Sequence, residues 1–176
     1  MSSGHLRVPR YERQQVFSPE LLELAQQIGT LLRERKETVS VAEGSAGGLI
    51  SATLLAIPGA SAYYMGGTVI YTARAKRAFL GTAVPEPGGM RGATEEFARF
   101  LAEASLVQLR TTWAIGEAGA AGPANPYGDP AGHVWLAIVG PREVTKHVLT
   151  GSNDRCQNML AFTAAALNLF LEKLSA

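Results

Sequence analysis

Cysteine is almost missing: Cys156 is the one thiol in 176 residues. That excludes an intramolecular disulfide and a cysteine-rich zinc site, and it suits a reducing cytoplasm, the compartment expected here. Charge of one sign is also missing. Sixteen Lys and Arg stand against fifteen Asp and Glu, a net charge of +1. Aromatics, at 7%, are too sparse and too distant from basic clusters to stack bases. Together these argue against a nucleic-acid partner. No run approaches the roughly 18 unbroken apolar residues of a membrane helix. The polar start, residues 1–13, carries no apolar signal core, so no membrane partner is expected. Histidines number three, and His5, His133 and His147 lack ligand spacing, so no metal site is expected.

What is present is an apolar chain. Hydrophobic residues make up 47% and charged residues 18%, a balance that fits one globular domain with a buried core. Residues 1–17 read as a tail and residues 18–176 as a single domain.

Periodicity and punctuation place the elements. Ser18-Pro19-Glu20 starts a helix to about Arg35, with Leu21, Leu24, Ala25, Ile28, Leu31 and Leu32 on one face. Residues 38–42 form the first strand. Residues 49–55 form a short helix, almost wholly apolar and therefore expected to be buried. Residues 62–71 are rich in strand formers but interrupted by Gly66-Gly67, which predicts two strand segments with the glycines as a bulge or a close backbone approach. A short basic helix over 72–80 and a loop over 84–92 follow. Thr94-Glu95-Glu96 caps a long helix with a stripe of Phe97, Phe100, Leu101, Ala104 and Leu109.

Residues 112–115 read as a buried strand. Residues 116–132 hold five glycines and three prolines without apolar periodicity, and read as a long connection that is functional or mobile. They match neither a Walker A motif nor a dinucleotide fingerprint. Residues 133–139 and 144–150 should form an antiparallel hairpin, and a final helix to about Leu174 should turn Met159, Leu160, Thr163, Ala166, Leu167 and Phe170 inward. Strands alternate with helices before a late hairpin. The fold class expected is α/β: a three-layer α/β/α sandwich with a mixed, mostly parallel sheet.

The chain is organised around Val41-Ala42-Glu43-Gly44-Ser45-Ala46-Gly47-Gly48-Leu49, where a strand runs through a small-residue turn into a helix. The backbone amides of Ala46, Gly47 and Gly48 and the helix dipole would there receive a phosphate or an oxyanion. Ser45 reads either as a nucleophile at a strand-to-helix turn or as the helix N-cap. Glu43 reads as a general base or orienting carboxylate, or as an acid held by nearby amides. Lys76, with Tyr71 close in sequence, reads as a base for a serine or as a solvated lysine flanked by Arg74 and Arg77. Arg155, at a helix start, reads as a phosphate clamp or as the partner of a surface acid such as Asp154.

In order and spacing these stretches resemble the CinA carboxy-terminal domain family, which includes the nicotinamide mononucleotide deamidases. The opening loop is similar to that family's Thr-Ala-Glu-Ser-Cys-Thr-Gly-Gly-Leu. Tyr71-Thr72-Ala73-Arg74-Ala75-Lys76 resembles Tyr-Ser-Asn-Glu-Ala-Lys, and Gly119-Ala120-Ala121-Gly122-Pro123 resembles Gly-Ile-Ala-Gly-Pro. Pro58-Gly59-Ala60-Ser61-Ala62, residues 130–135 and residues 151–155 follow in register.

The resemblance implies hydrolysis of the carboxamide of a pyridine mononucleotide or a related amide, with no metal and no cofactor. It implies catalytic roles for Tyr71 and Lys76; the family's serine does not carry over, and Ser45, one position later, stands as the candidate catalytic nucleophile on its place at the strand-to-helix turn. Substrate would be bound by Glu43, Gly44, Ala46, Gly47, Gly48, Thr72, Gly119, Gly122 and Arg155. It also implies a homodimer. The family's serine aligns with Gly44, its motif threonine with Ala46, and the residue before its glycine loop with Ala118. A catalytically inactive homologue that binds a nucleotide-like ligand or a protein partner is the alternative.

Overall fold

The computed structural model describes residues 17–81, 90–123, 125 and 128–176. The expected tail, save Phe17, and most of the loop over 84–92 lie outside the described residues. Five strands form one sheet in the order β2-β1-β3-β4-β5. These are β1 (Val39–Glu43), β2 (Tyr64–Val69), β3 (Trp113–Ala120), β4 (His133–Val139) and β5 (Val144–Leu149). β1 pairs in parallel with β2 and with β3, while β3–β4 and β4–β5 are antiparallel. The expected mixed sheet and late hairpin are thus present.

The helices are α1 (Pro19–Arg35), α2 (Leu49–Leu55), α3 (Ala73–Phe79), α4 (Glu95–Leu109) and α5 (Arg155–Ser175). Each of the three long helices starts on a polar cap: Ser18, Thr94 and Asp154 accept from Leu21, Phe97 and Gln157 amides. Side chains alternate across a strand, and this sorts the core into two layers. Val39, Val41, Trp113 and Ile115 pack against α1, α2 and α5 residues such as Ile28, Ile50 and Phe162. Ala42, Ala114, Ala118 and Ala137 meet Ala98, Leu101 and Ala102 of α4 on the opposite face. The small alanines let α4 approach so closely that a Cβ on Gly116 would lie 2.0 Å from the Ala98 carbonyl oxygen.

Several expectations need correction. Residues 116–120 are not part of a loose connection but complete the central strand β3, because small residues are what the α4 face of the sheet admits. Residues 62–71 hold one strand. Its bulge falls at Met65, between partners Tyr64↔Val39 and Gly66↔Ser40. Leu55, Leu109 and Leu160 are exposed rather than inward, since each lies on the solvent side of its helix. No described helix is long and apolar enough to cross a membrane.

Candidate functional site

Chain order along the sheet reverses at β1, which has β2 on one side and β3 on the other. In open α/β sheets the crevice beyond the carboxyl ends of such strands is where ligands bind. Here it is built from the turn after β1, the segment after β2 and the end of β3. An open cleft of about 320 Å³ lies there, and Gly44, Ser45, Tyr71, Thr72, Lys76 and Gly119 all line it.

Beneath the turn are two carboxylates that strand pairing sets side by side. Glu43 is the in-register partner of Glu117, both are fully buried, and both project to the α2/α5 side of the sheet. Two buried acids this close require strong hydrogen-bond donors. The turn supplies them. Glu43 Oε2 accepts from the amides of Gly48 (3.0 Å) and Ile50 (3.1 Å), and its Oε1 accepts from the Ser51 amide (3.0 Å) and Ser51 Oγ (2.6 Å). Glu43 therefore serves as the anion of the α2 N-terminus.

Glu117 Oε2 accepts from the amides of Gly44 and Ala46, each at 2.9 Å, and Glu117 Oε1 accepts from the Ser45 hydroxyl. Burial pushes the Glu117 carboxyl up from about 4.5 to about 7, with a push from Glu43, while the Ala46 amide, Ser45 hydroxyl and Gly44 amide hold it down.

This arrangement corrects the reading of the turn as an open anion receptor. The Ala46 amide goes to Glu117, the Gly48 amide to Glu43, and the Gly47 amide to the Gly44 carbonyl at 3.3 Å. The turn does bind anions, but they are the chain's own carboxylates. Glu43 is accordingly not a cleft residue, and Ser45 is not the α2 N-cap, a position held by Gly48 in a left-handed conformation.

Tyr71 and Lys76 reach the cleft from the end of β2 and from α3, whose N-cap is Thr72. Lys76 is half-buried, its Nζ 5.6 Å from the centre of the Phe97 ring, which also lines the cleft. Tyr71 is 64% exposed, and its hydroxyl accepts from Arg155 Nη2 at 3.1 Å. Arg155 Nη1 donates to the Gly122 carbonyl at 3.0 Å, so the guanidinium braces Tyr71 against the glycine turn after β3. Among the described residues it pairs with neither Asp154 nor another acid.

Gly122 and Arg155 are not among the residues that line the cleft. Gly119 does line it, and has no room for a side chain: a Cβ would lie 2.5 Å from the His133 carbonyl oxygen and 2.8 Å from Ser45 Oγ.

The sequence reading missed Glu117, Phe97's place in the cleft, and the rim. At the rim, Asn125 lines the cleft and is tied to Asp129, which takes a 2.8 Å ion pair from Arg91. Ala93, also on the lining, accepts from His133 Nε2 at 2.8 Å. A signal for Glu117 was available: it continues the alternation of Trp113 and Ile115 on the buried face. Among the described residues, no group of three or more His, Cys, Asp or Glu could hold a metal.

With this geometry in view, the family comparison is direct. Residues 21–174 match the model of the CinA C-terminal domain. The chain belongs to the CinA C-terminal domain family. Its relatives include a CinA-like protein of Chlorobium phaeobacteroides, 33% identical over 86% of this chain and 37% of that protein. Another, from Desulfosudis oleivorans, is 35% identical over 90% of this chain and 39% of the relative. The chain thus spans under two fifths of the length of these curated relatives.

Solved structures of the same superfamily share the fold. A competence/damage inducible protein from Agrobacterium tumefaciens superposes with a TM-score of 0.80 at 30% identity, covering 92% of this chain and 99% of that one. A CinA superfamily protein from Klebsiella pneumoniae gives 0.80 at 26% identity, covering 88% and 98%.

Proposed function

We propose that this CinA C-terminal domain hydrolyses a carboxamide, with a pyridine mononucleotide or a closely related amide as substrate. The observation that carries the reading is the convergence of a serine, a tyrosine and a lysine from three separate segments on one cleft at the end of the parallel strands. Ser45 supplies the oxygen nucleophile. Lys76 and Tyr71 supply hydrogen-bond donors for the carbonyl oxygen. The cleft volume is in the range of small-ligand pockets. Arg155 is the phosphate clamp: it donates to Gly122 and Tyr71, and its planar fork of five donors suits a phosphate oxygen at the rim.

A second reading has its own observation. Ser45 is only 6% exposed, and at Gly44, where the resemblance puts the family's serine, there is no side chain. On that reading the domain binds a nucleotide-like ligand without turnover. A serine at Gly44 would be tight: its Cβ would meet the Ile70 carbonyl oxygen at 3.3 Å, so that backbone must shift by a few tenths of an ångström, while the Glu117 carbonyl oxygen at 3.5 Å is in ordinary contact.

The deciding experiment is ammonia release from nicotinamide mononucleotide by the purified chain, beside Ser45→Ala, Lys76→Ala and Gly44→Ser. Turnover lost in Ser45→Ala and reduced in Lys76→Ala is the expected result. An inert wild type that gains turnover as Gly44→Ser supports the second reading. Turnover unchanged by both alanine substitutions sinks the assigned roles.

A further inference from the structure

We propose that Glu117 is the general base for Ser45, so that the hydrolytic centre of this chain is a serine–glutamate dyad with the carboxyl group behind the nucleophile. The proposal rests on the reading of the cleft as hydrolytic and goes beyond it by assigning the proton. Ser45 lines the cleft while its hydroxyl donates to the buried Glu117 Oε1. The two amides on Oε2 hold the carboxyl group in one orientation, so Oε1 is left for the serine. Gly119 closes the other side, since it passes too near Ser45 Oγ to carry a Cβ. Nucleophile, base and orienting groups thus stand in the relation that activated hydroxyls require.

An acid at position 117 has no advantage for packing. Its neighbours on the same strand and face, Trp113 and Ile115, are core residues, and the next strand presents Glu43 directly opposite. Burial beside a second carboxylate raises the proton affinity of Glu117 toward neutrality, to about 7. That is where a general base is most effective at physiological pH.

The steps balance without a further reactant. Ser45 Oγ bonds to the carboxamide carbon, its proton passes to Glu117 Oε1, and the carbonyl electron pair moves to oxygen. Collapse breaks the C–N bond, protonated Glu117 gives its proton to the nitrogen, and ammonia leaves an ester on Ser45. Water then attacks the ester carbon while Glu117 takes its proton. Collapse releases the carboxylic acid and returns that proton to Ser45 Oγ. One amide and one water give one acid and one ammonia.

The test uses the full chain and two readouts across pH 5.5–8.5: labelling by phenylmethylsulfonyl fluoride, followed by intact mass, and ammonia release from nicotinamide mononucleotide. In the wild type, labelling at Ser45 should rise with pH along a limb centred near 7. Glu117→Gln should lose at least about 100-fold in labelling rate together with that limb. Its fold should be kept, because the glutamine oxygen can still accept the two amides. A merely structural Glu117 would not set the limb.

Glu117→Gln labelled with the wild-type pH profile overturns the proposal, and so does a Ser45 that is not labelled at any pH. Were Glu117→Gln to unfold, the wild-type profile decides alone: a limb near 7 supports the dyad, and pH-independent labelling overturns it. The two readouts separate the dyad from the substrate. Labelling with the limb but no ammonia keeps the dyad and removes the mononucleotide. Ammonia release untouched by Glu117→Gln does the reverse.

Discussion

Replacing Glu43 by glutamine probes how the strand–turn–helix unit is held. Glu43 is fully buried and accepts four hydrogen bonds, two on each carboxylate oxygen, from Gly48, Ile50 and Ser51. Glutamine keeps the shape but turns one acceptor into a two-proton donor. With the nitrogen placed at Oε1, the Ser51 hydroxyl can rotate and accept, while the Ser51 amide is left facing another donor. One orphaned buried amide costs about 1–3 kcal/mol. Loss of a negative charge at a helix N-terminus adds about 1 kcal/mol.

The sum is about 2–4 kcal/mol, and for a chain of this size each kcal/mol lowers Tm by about 2–4 °C. A fall of about 5–15 °C is therefore expected by circular dichroism, with a matching shift in the urea midpoint. Glu43→Ala, which orphans all of these donors, should be worse. A Glu43→Gln variant melting within about 2 °C of wild type would refute the account of Glu43 as the anion that fixes the turn.

Three further outcomes follow from the same geometry. Glu117 takes its proton near pH 7 when folded and near 4.5 when unfolded. Between these values the folded state binds more protons, so its stabilising contribution is complete below about 4.5 and is lost as pH rises to 7, a difference of about 3 kcal/mol. Glu117→Gln should lack this fall in urea titrations at pH 5.5 and 8, and a gap between wild type and variant that does not change with pH refutes it. Gly116→Ala would place a Cβ 2.0 Å from the Ala98 carbonyl oxygen and should destabilise the chain by about 3 kcal/mol or more, read as a lowered Tm or loss of the folded protein. Arg155→Met should weaken binding of a mononucleotide about tenfold relative to its nucleoside in calorimetry, and equal weakening of both would remove Arg155 from the phosphate.

Much of the fold was legible in local signals. Ser18-Pro19 and Thr94 mark helix starts by side-chain chemistry that needs only neighbouring amides, and the structure uses each of them so. The hairpin of β4 and β5 follows from two β-branched runs around Gly140-Pro141. The central strand was only half legible. Gly116, Ala118, Gly119 and Ala120 carry no apolar periodicity, because the residues that let α4 and Ser45 come close are those with the least side chain. The candidate site was legible as a place. Ser45, Tyr71 and Lys76 do share a cleft, although Arg155 and Gly122 do not line it and Ala46, Gly47 and Gly48 donate to groups of the chain itself.

By itself the sequence determined the capped helices, the glycine turn after the first strand, and the alternation that gives each strand two unlike faces. These depend on residues a few positions apart. Only the tertiary structure decided what the turn holds. Glu43 and Glu117 are 74 residues apart, and it is the parallel register of β1 against β3 that makes them partners. Once they are side by side and out of water, they must claim every strong donor nearby. That requirement takes the amides of Gly44, Ala46 and Gly48, turns the Ser45 hydroxyl inward, and leaves the open cleft to Ser45, Tyr71 and Lys76.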